Sequence, residues 1–241
     1  MKDWDVAEEP VSELKWTQLL TQKVFTKSYF QEMKGEELTV EWAKRTGFRQ
    51  PVLVKVADDG LDLSMPDSSL TVRRVADLVD PDRRVEVLQV STQSSTTMTL
   101  QEWADYYHLP LQQRPRILNV ISLEVSMTKL GNLVKPPKFV RDIDWTEQVW
   151  PKSLQPSHYP KVQMYCLMSV KNSFTDFHID FGGSSVYYHL VKGRKIFYFV
   201  PPTKHNLAKY TDWSSSYNQS TRFFADEVQE CVEVVLEQGN T

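Results

Sequence analysis

From Val162 onward the chain changes texture, and that change limits its fold more than anything before it. "VQMYCLMSV", "FTDFHIDF", "SSVYYHLV", "KIFYFVPP" and "CVEVVLEQ" are short runs rich in aromatic and β-branched residues, separated by turns. Such a succession of short strands predicts an antiparallel barrel or sandwich. Ahead of it the pattern is mixed. "LTVEWAKRTGF" offers Thr39 as a helix cap and Gly47 as its stop, and "SLTVRRVADLVDP" offers Thr71 as a cap and Asp80-Pro81 as a break. "TLQEWADYYHLP" opens on a Thr99–Glu102 capping box and ends before Pro110. "PVLVKV", "VEVLQV" and "ILNVISLEVS" read as strands, the last carrying Asn119 near its start. "SELKWTQLLTQ", with Leu14, Trp16, Leu19 and Leu20, and "IDWTEQVW" read as short helices, and of the polar start "MKDWDVAEEP" only Trp4 is expected to dock. The expected class is α+β: a mixed α/β elaboration over residues 1–160 and a β-rich part over 161–241, joined into one domain by the short connector "PKSLQPSHYP".

A chain of 241 residues with 41% hydrophobic and 24% charged residues has the composition of a soluble globular protein with a substantial core. Its formal charge of −3 argues against strong nucleic-acid binding by bulk electrostatics and leaves a basic peptide open as a partner. Cys166 and Cys231 are too few for a disulfide framework or a four-cysteine zinc site, and both sit in apolar runs that suit buried, reduced thiols. No secretory h-region and no apolar run of about 18 residues appears, so the expectation is an intracellular protein without a membrane span.

Within the β-rich part, "TDFHIDFGG" carries the chemistry. His178 and Asp180 are two apart, so on a strand they share one face while Phe177, Ile179 and Phe181 share the other. A histidine and a carboxylate so presented are two members of a 2-His-1-carboxylate iron site. The commoner role of such a pair is a structural hydrogen bond. Two features tilt the balance: Gly182-Gly183 at the strand end, which permits close approach by a ligand, and a lysine on the next hairpin. Read as a hairpin about Lys192-Gly193, "SSVYYHLVKGRKIFYFV" pairs Leu190 with Lys195 and Tyr188 with Phe197, placing all four on one face. A lysine turned inward among such neighbours needs an anionic partner. One that snorkels from an edge strand does not, and the hairpin alone favours neither reading.

The run "YCLMSVKNSFTDFHIDFGGSSVYYHLVKGRKIFYFVPPTKHNL" closely resembles the JmjC-domain histone lysine demethylases, and within them the branch acting on lysine 36 of histone H3. The resemblance extends back through "LNVISLEVS", "MTLQEWADYY" and "LDLSMPDSSLTV" and covers most of the chain after about residue 45. It implies a double-stranded β-helix, a cupin-like jelly roll, with residues 161–241 supplying the N-terminal part of the barrel. It implies Fe(II) and 2-oxoglutarate as cofactors, His178 and Asp180 as iron ligands, and Thr175 and Lys195 as holders of the distal carboxylate of 2-oxoglutarate. Tyr188 and Asn119 would add hydrogen bonds around the cofactor and the reacting centre. Strand parity puts Thr175 opposite His178, so its role comes from the resemblance alone.

The implied reaction is hydroxylation of an N-methyl group on a histone H3 tail, with loss of formaldehyde, by a nuclear enzyme working on chromatin. The family's second histidine ligand would follow "EQGNT", beyond Thr241, so the expectation is that the barrel is incomplete in this chain and that the chain alone is inactive. His108, His158, His189 and His205 read as surface or packing histidines. Two other readings compete: a catalytically inactive chromatin-binding protein of the same fold, and a dioxygenase that hydroxylates another protein side chain.

Overall fold

A computed structural model describes residues 18–241 apart from 21, 28–29, 57–59 and 156. Trp4, Leu14 and Trp16 lie outside the described residues. In chain order the strands are β1 (Thr26–Lys27), β2 (Gln31–Glu32), β3 (Val52–Leu53), β4 (Arg84–Gln89), β5 (Ser94–Thr99), β6 (Leu118–Glu124), β7 (Tyr165–Ser169), β8 (Arg194–Phe199) and β9 (Val232–Glu237). The α-helices are α1 (Val40–Thr46), α2 (Val72–Val79), α3 (Leu100–Tyr107), α4 (Lys138–Ile143), α5 (Trp145–Val149) and α6 (Lys204–Ser214). None of them is long and apolar enough to cross a membrane.

The larger sheet is antiparallel, in the order β5-β4-β6-β7. Alternation in β4 sends Val85 and Val87 inward and Arg84 and Glu86 to solvent. The apolar face packs on α2 and α3, whose Val75, Ala76, Leu100 and Trp103 join Val120 and Met168 in the main core. Tyr106 keeps this core polar-satisfied at its edge: its hydroxyl donates to the Arg116 carbonyl at 2.7 Å and accepts from Leu118 N–H at 2.9 Å, fixing where β6 begins. Because β7 pairs with β6, the sheet runs unbroken across residues 160 and 161.

The helix boundaries follow the capping residues. Thr39, Thr71 and Thr99 each accept from the backbone N–H three residues on, and Gly47 closes α1 in the left-handed conformation. At α3 the box is complete, with Thr99 Oγ1 accepting from Glu102 N–H at 3.1 Å and Glu102 Oε2 accepting from Thr99 N–H at 3.0 Å. Since α3 carries Trp103 into the core, Thr99→Ala is expected to lower unfolding stability by about 1 kcal/mol, read from urea denaturation midpoints. An unchanged midpoint would show that packing alone holds the helix start.

The second sheet has the order β1-β9-β8, with β9 antiparallel to β8 and parallel to β1. Val232, Val234 and Leu236 alternate inward. Beside it α6 buries Trp213 against Phe224 and Tyr210, with ring centroids 5.1 and 5.9 Å away. The architecture is thus mixed α/β with two mainly antiparallel sheets, and among the described residues they do not close into a barrel.

Several elements differ from the sequence reading. "FTDFHIDF" and "SSVYYHLV" enter no ladder, although their composition is strand-like. In place of the hairpin about Lys192-Gly193, β8 pairs with β9, Lys195 opposite Leu236 and Phe197 opposite Val234. Leu190 exchanges backbone hydrogen bonds with Gly239 and Asn240 at 2.8 and 3.0 Å. β9 brings the buried, alternating Val232, Val234 and Leu236 to its pairing with β8. The polar run of β5 and the helix α6 have no counterpart in the sequence reading. β5 is an edge strand of serines and threonines, and α6 starts from a Thr203 cap after Pro201-Pro202.

Candidate functional site

The segment from Thr175 to Asp180 lies between the two sheets in sequence and takes its hydrogen bonds from side chains instead of a strand. Asp176 N–H donates to Gln93 Oε1 at 3.2 Å, Phe177 N–H to Asp176 Oδ1 at 2.8 Å, and Ile179 N–H to the Tyr210 hydroxyl at 3.2 Å. These contacts account for three donors that a ladder would otherwise satisfy. After Asp180 the chain turns through Phe181–Gly183, with Gly182 and Gly183 at φ 66° and 63°. A Cβ at either glycine would meet nothing within 4 Å. Both glycines therefore serve a left-handed turn.

His178 Nδ1 lies 2.8 Å from the Asp176 carbonyl oxygen. A carbonyl only accepts, so Nδ1 carries the hydrogen and, in the neutral ring, Nε2 keeps its lone pair. That lone pair lies 3.5 Å from Asp180 Oδ1. Donor atoms about 3–3.5 Å apart are what ligand bonds of about 2.1 Å give at angles from right to tetrahedral, so the pair fits a divalent cation. Among the described residues no third histidine, cysteine or carboxylate joins them.

Among the described residues nothing encloses this pair. Their side chains are 59% and 42% exposed, because no described element covers that face. Of the opposite face only Phe177 packs, its ring 5.3 Å from that of Phe224. Ile179 and Phe181 are 55% and 66% exposed. Strict strand parity fails here because the segment is not a paired strand.

The other residues the resemblance implies fall into two groupings. Asn119, fully buried on β6, accepts from Ser169 Oγ of β7 at 2.7 Å and donates to Thr175 Oγ1 at 3.3 Å. This brings Asn119 and Thr175 together. Near the β8 strand, Tyr188 packs edge-on against Phe197 with centroids 4.9 Å apart, and Lys195 Nζ lies 6.0 Å over the same ring. Tyr188 and Phe197 are therefore neighbours without the hairpin that was expected to pair them. Burial draws the Lys195 ammonium below the usual lysine value, and it has no ion-pair partner among the described residues. Burial pushes the Tyr188 hydroxyl up to about 12, with the Cys166 thiol adding to the shift, and pushes that thiol up to about 11. Both are neutral near pH 7 in the free protein, so Tyr188 can donate a hydrogen bond.

The other histidines are engaged elsewhere or exposed. His108 Nδ1 meets the Ala104 carbonyl at the end of α3, and His189 Nδ1 meets Thr241 Oγ1 at 2.8 Å. His158 is exposed, and His205, expected in a loop, is exposed on α6. Sequence reasoning missed Gln93, Tyr210 and Ser169. Gln93 and Tyr210 lie far from the His178 motif in sequence, and only the folded contacts tie them to it; Ser169 lies close to the motif, but its contact with Asn119 spans 50 residues.

The chain is similar to proteins of one functional kind. It is 43% identical over 233 residues to Lysine-specific demethylase 2B of Mus musculus, covering 92% of this chain and 18% of that protein. It is 47% identical over 207 residues to Histone lysine demethylase PHF8 of Danio rerio, covering 86% of this chain and 20% of that one. It is 46% identical over 220 residues to JmjC domain-containing histone demethylation protein 1 of Aspergillus fumigatus, covering 89% and 15%. The chain thus spans about a fifth or less of the length of these relatives. No protein-family model matches it. The resemblance read from "TDFHIDFGG" and its surroundings stands, at near-equal identity to differently named demethylases, so the likeness is to the group as a whole.

Proposed function

We propose that this chain, homologous to the JmjC histone lysine demethylases, holds an Fe(II)- and 2-oxoglutarate-dependent site that removes methyl groups from histone H3, with lysine 36 as the target. His178 and Asp180 would hold the iron, and Lys195 with Thr175 would hold the distal carboxylate of 2-oxoglutarate. When bound, iron and 2-oxoglutarate would supply activation of dioxygen, one oxygen atom going to succinate as 2-oxoglutarate loses CO2 and the other turning an N-methyl group into a hydroxymethyl group that is lost as formaldehyde. Neutral Tyr188 would donate a hydrogen bond at the cofactor, and Asn119 would orient Thr175.

The observation that carries this reading is the orientation of His178. Its Nδ1–H is tied to a backbone carbonyl, and its Nε2 lone pair faces a carboxylate oxygen 3.5 Å away. Histidine ligands are held in just such a way, by a hydrogen bond from the nitrogen that does not bind the metal. The unpaired Lys195 supports a dianionic co-substrate. On this reading the two open sheets belong to a double-stranded β-helix, with residues 1–160 as its elaboration and 161–241 as part of the barrel. Chromatin is the implied partner and the nucleus the implied location. A protein of formal charge −3 suits a basic histone tail better than bare DNA.

The test is to incubate the full-length protein with methylated H3 peptides, Fe(II), 2-oxoglutarate and ascorbate. Formaldehyde release with loss of methyl mass from a lysine-36 peptide is the expected result. Gain of an oxygen without methyl loss would make it a side-chain hydroxylase. Turnover on a different H3 lysine only would correct the target, and no turnover on any peptide would overturn the assignment as an enzyme.

A further inference from the structure

We infer that Gln93 and Tyr210 are positioning residues that hold His178 in its metal-binding orientation, doing for this segment what a strand ladder does elsewhere. The inference rests on His178 and Asp180 being metal ligands. Gln93 stands at the tip of the β4–β5 hairpin with φ 53°. Left-handed backbone is unfavourable for a long side chain, and asparagine or glycine would adopt it at lower cost. The side chain bridges two partners: Nε2 donates to the Val90 carbonyl at 2.8 Å, and Oε1 accepts from Asp176 N–H at 3.2 Å. The backbone N–H of Asp176 is thus fixed from the hairpin, and the carbonyl of the same residue, one peptide on, receives His178 Nδ1–H.

Tyr210 acts from the other side. Its hydroxyl accepts from Ile179 N–H, directly after His178. Its ring is held by Trp213 and Phe224, and Phe224 also packs against Phe177. Peptides on both sides of His178 are therefore anchored by side chains from separate elements, one on the larger sheet and one on the helix beside the second sheet. Because His178 itself is largely exposed, packing of its own ring does little to orient it, and the two anchors carry that task.

Two variants remove the anchors with little other change. Gln93→Asn keeps an amide, suits the left-handed backbone better and is one methylene too short to span both partners. Tyr210→Phe keeps the ring in its aromatic cluster and removes only the acceptor. The probe is Co(II), titrated into the full-length protein in the absence of 2-oxoglutarate and followed by its visible absorption, with His178→Ala defining which signal belongs to this site.

Each variant is expected to weaken Co(II) binding about threefold to tenfold, at or below the low end of what direct outer partners of metal ligands contribute. Melting temperature should hold for Tyr210→Phe and hold or rise for Gln93→Asn. Unchanged Co(II) affinity in both variants would overturn the inference. Weaker binding that tracks a fall in melting temperature would overturn it as well, because it would mark a general structural role. Absence of any His178-dependent Co(II) signal in the parent would instead overturn the metal-site reading beneath it.

Discussion

His178→Ala and Asp180→Ala are each expected to bring demethylation by the full-length protein to background while leaving its folding nearly untouched. The dissociation follows from exposure: side chains 59% and 42% exposed contribute little to the core. Replacing them should change stability by less than about 1 kcal/mol, as for surface positions outside special networks. Loss of one ligand from a pair leaves a single donor, too few to fix a cation in an orienting geometry. The check is turnover on methylated H3 peptide beside a thermal melt of the same preparation. Retained turnover in either variant would remove that residue from the site. Lost turnover with a collapsed melt would show that the segment matters for folding instead.

Lys195→Ala is expected to raise the concentration of 2-oxoglutarate needed for half-maximal turnover far more than that of peptide. A buried charge-assisted pair that loses one partner costs about 2–5 kcal/mol, or on the order of 30-fold or more in affinity. The pH dependence has a definite sign. Burial lowers the Lys195 pKa, so the ammonium in the free protein is lost at a lower pH than in an ordinary lysine. Affinity for the dianion should be full below that lowered pKa and fall as pH rises through it, and the alanine variant should lack this fall. A variant that titrates with 2-oxoglutarate like the parent would show that Lys195 only lays its stem along the Phe197 ring.

Much of the local structure was legible in the sequence because its causes are local. Thr39, Thr71 and Thr99 start helices through hydrogen bonds that span three residues, and Gly47 stops one through its own backbone freedom. The alternation of β4 and β9 announces their buried faces, whereas β6, paired with β4 on one edge and β7 on the other, buries Leu118, Asn119 and Val120 in succession. The His178–Asp180 pair and its resemblance to the demethylases were also readable, since residue type and spacing are written along the chain. Tertiary structure decided what the neighbours do. "FTDFHIDF" looks like a strand, yet a strand exists only where a second backbone meets it, and here Gln93 and Tyr210 meet it instead. Tyr188 and Phe197 keep the ring contact that a hairpin would give, while the backbone of Phe197 pairs with Val234 of β9. Composition fixes which residues can bond or pack at short range. Partners far apart in sequence are chosen by competition for the same backbone groups, and that competition is resolved only in the assembled fold.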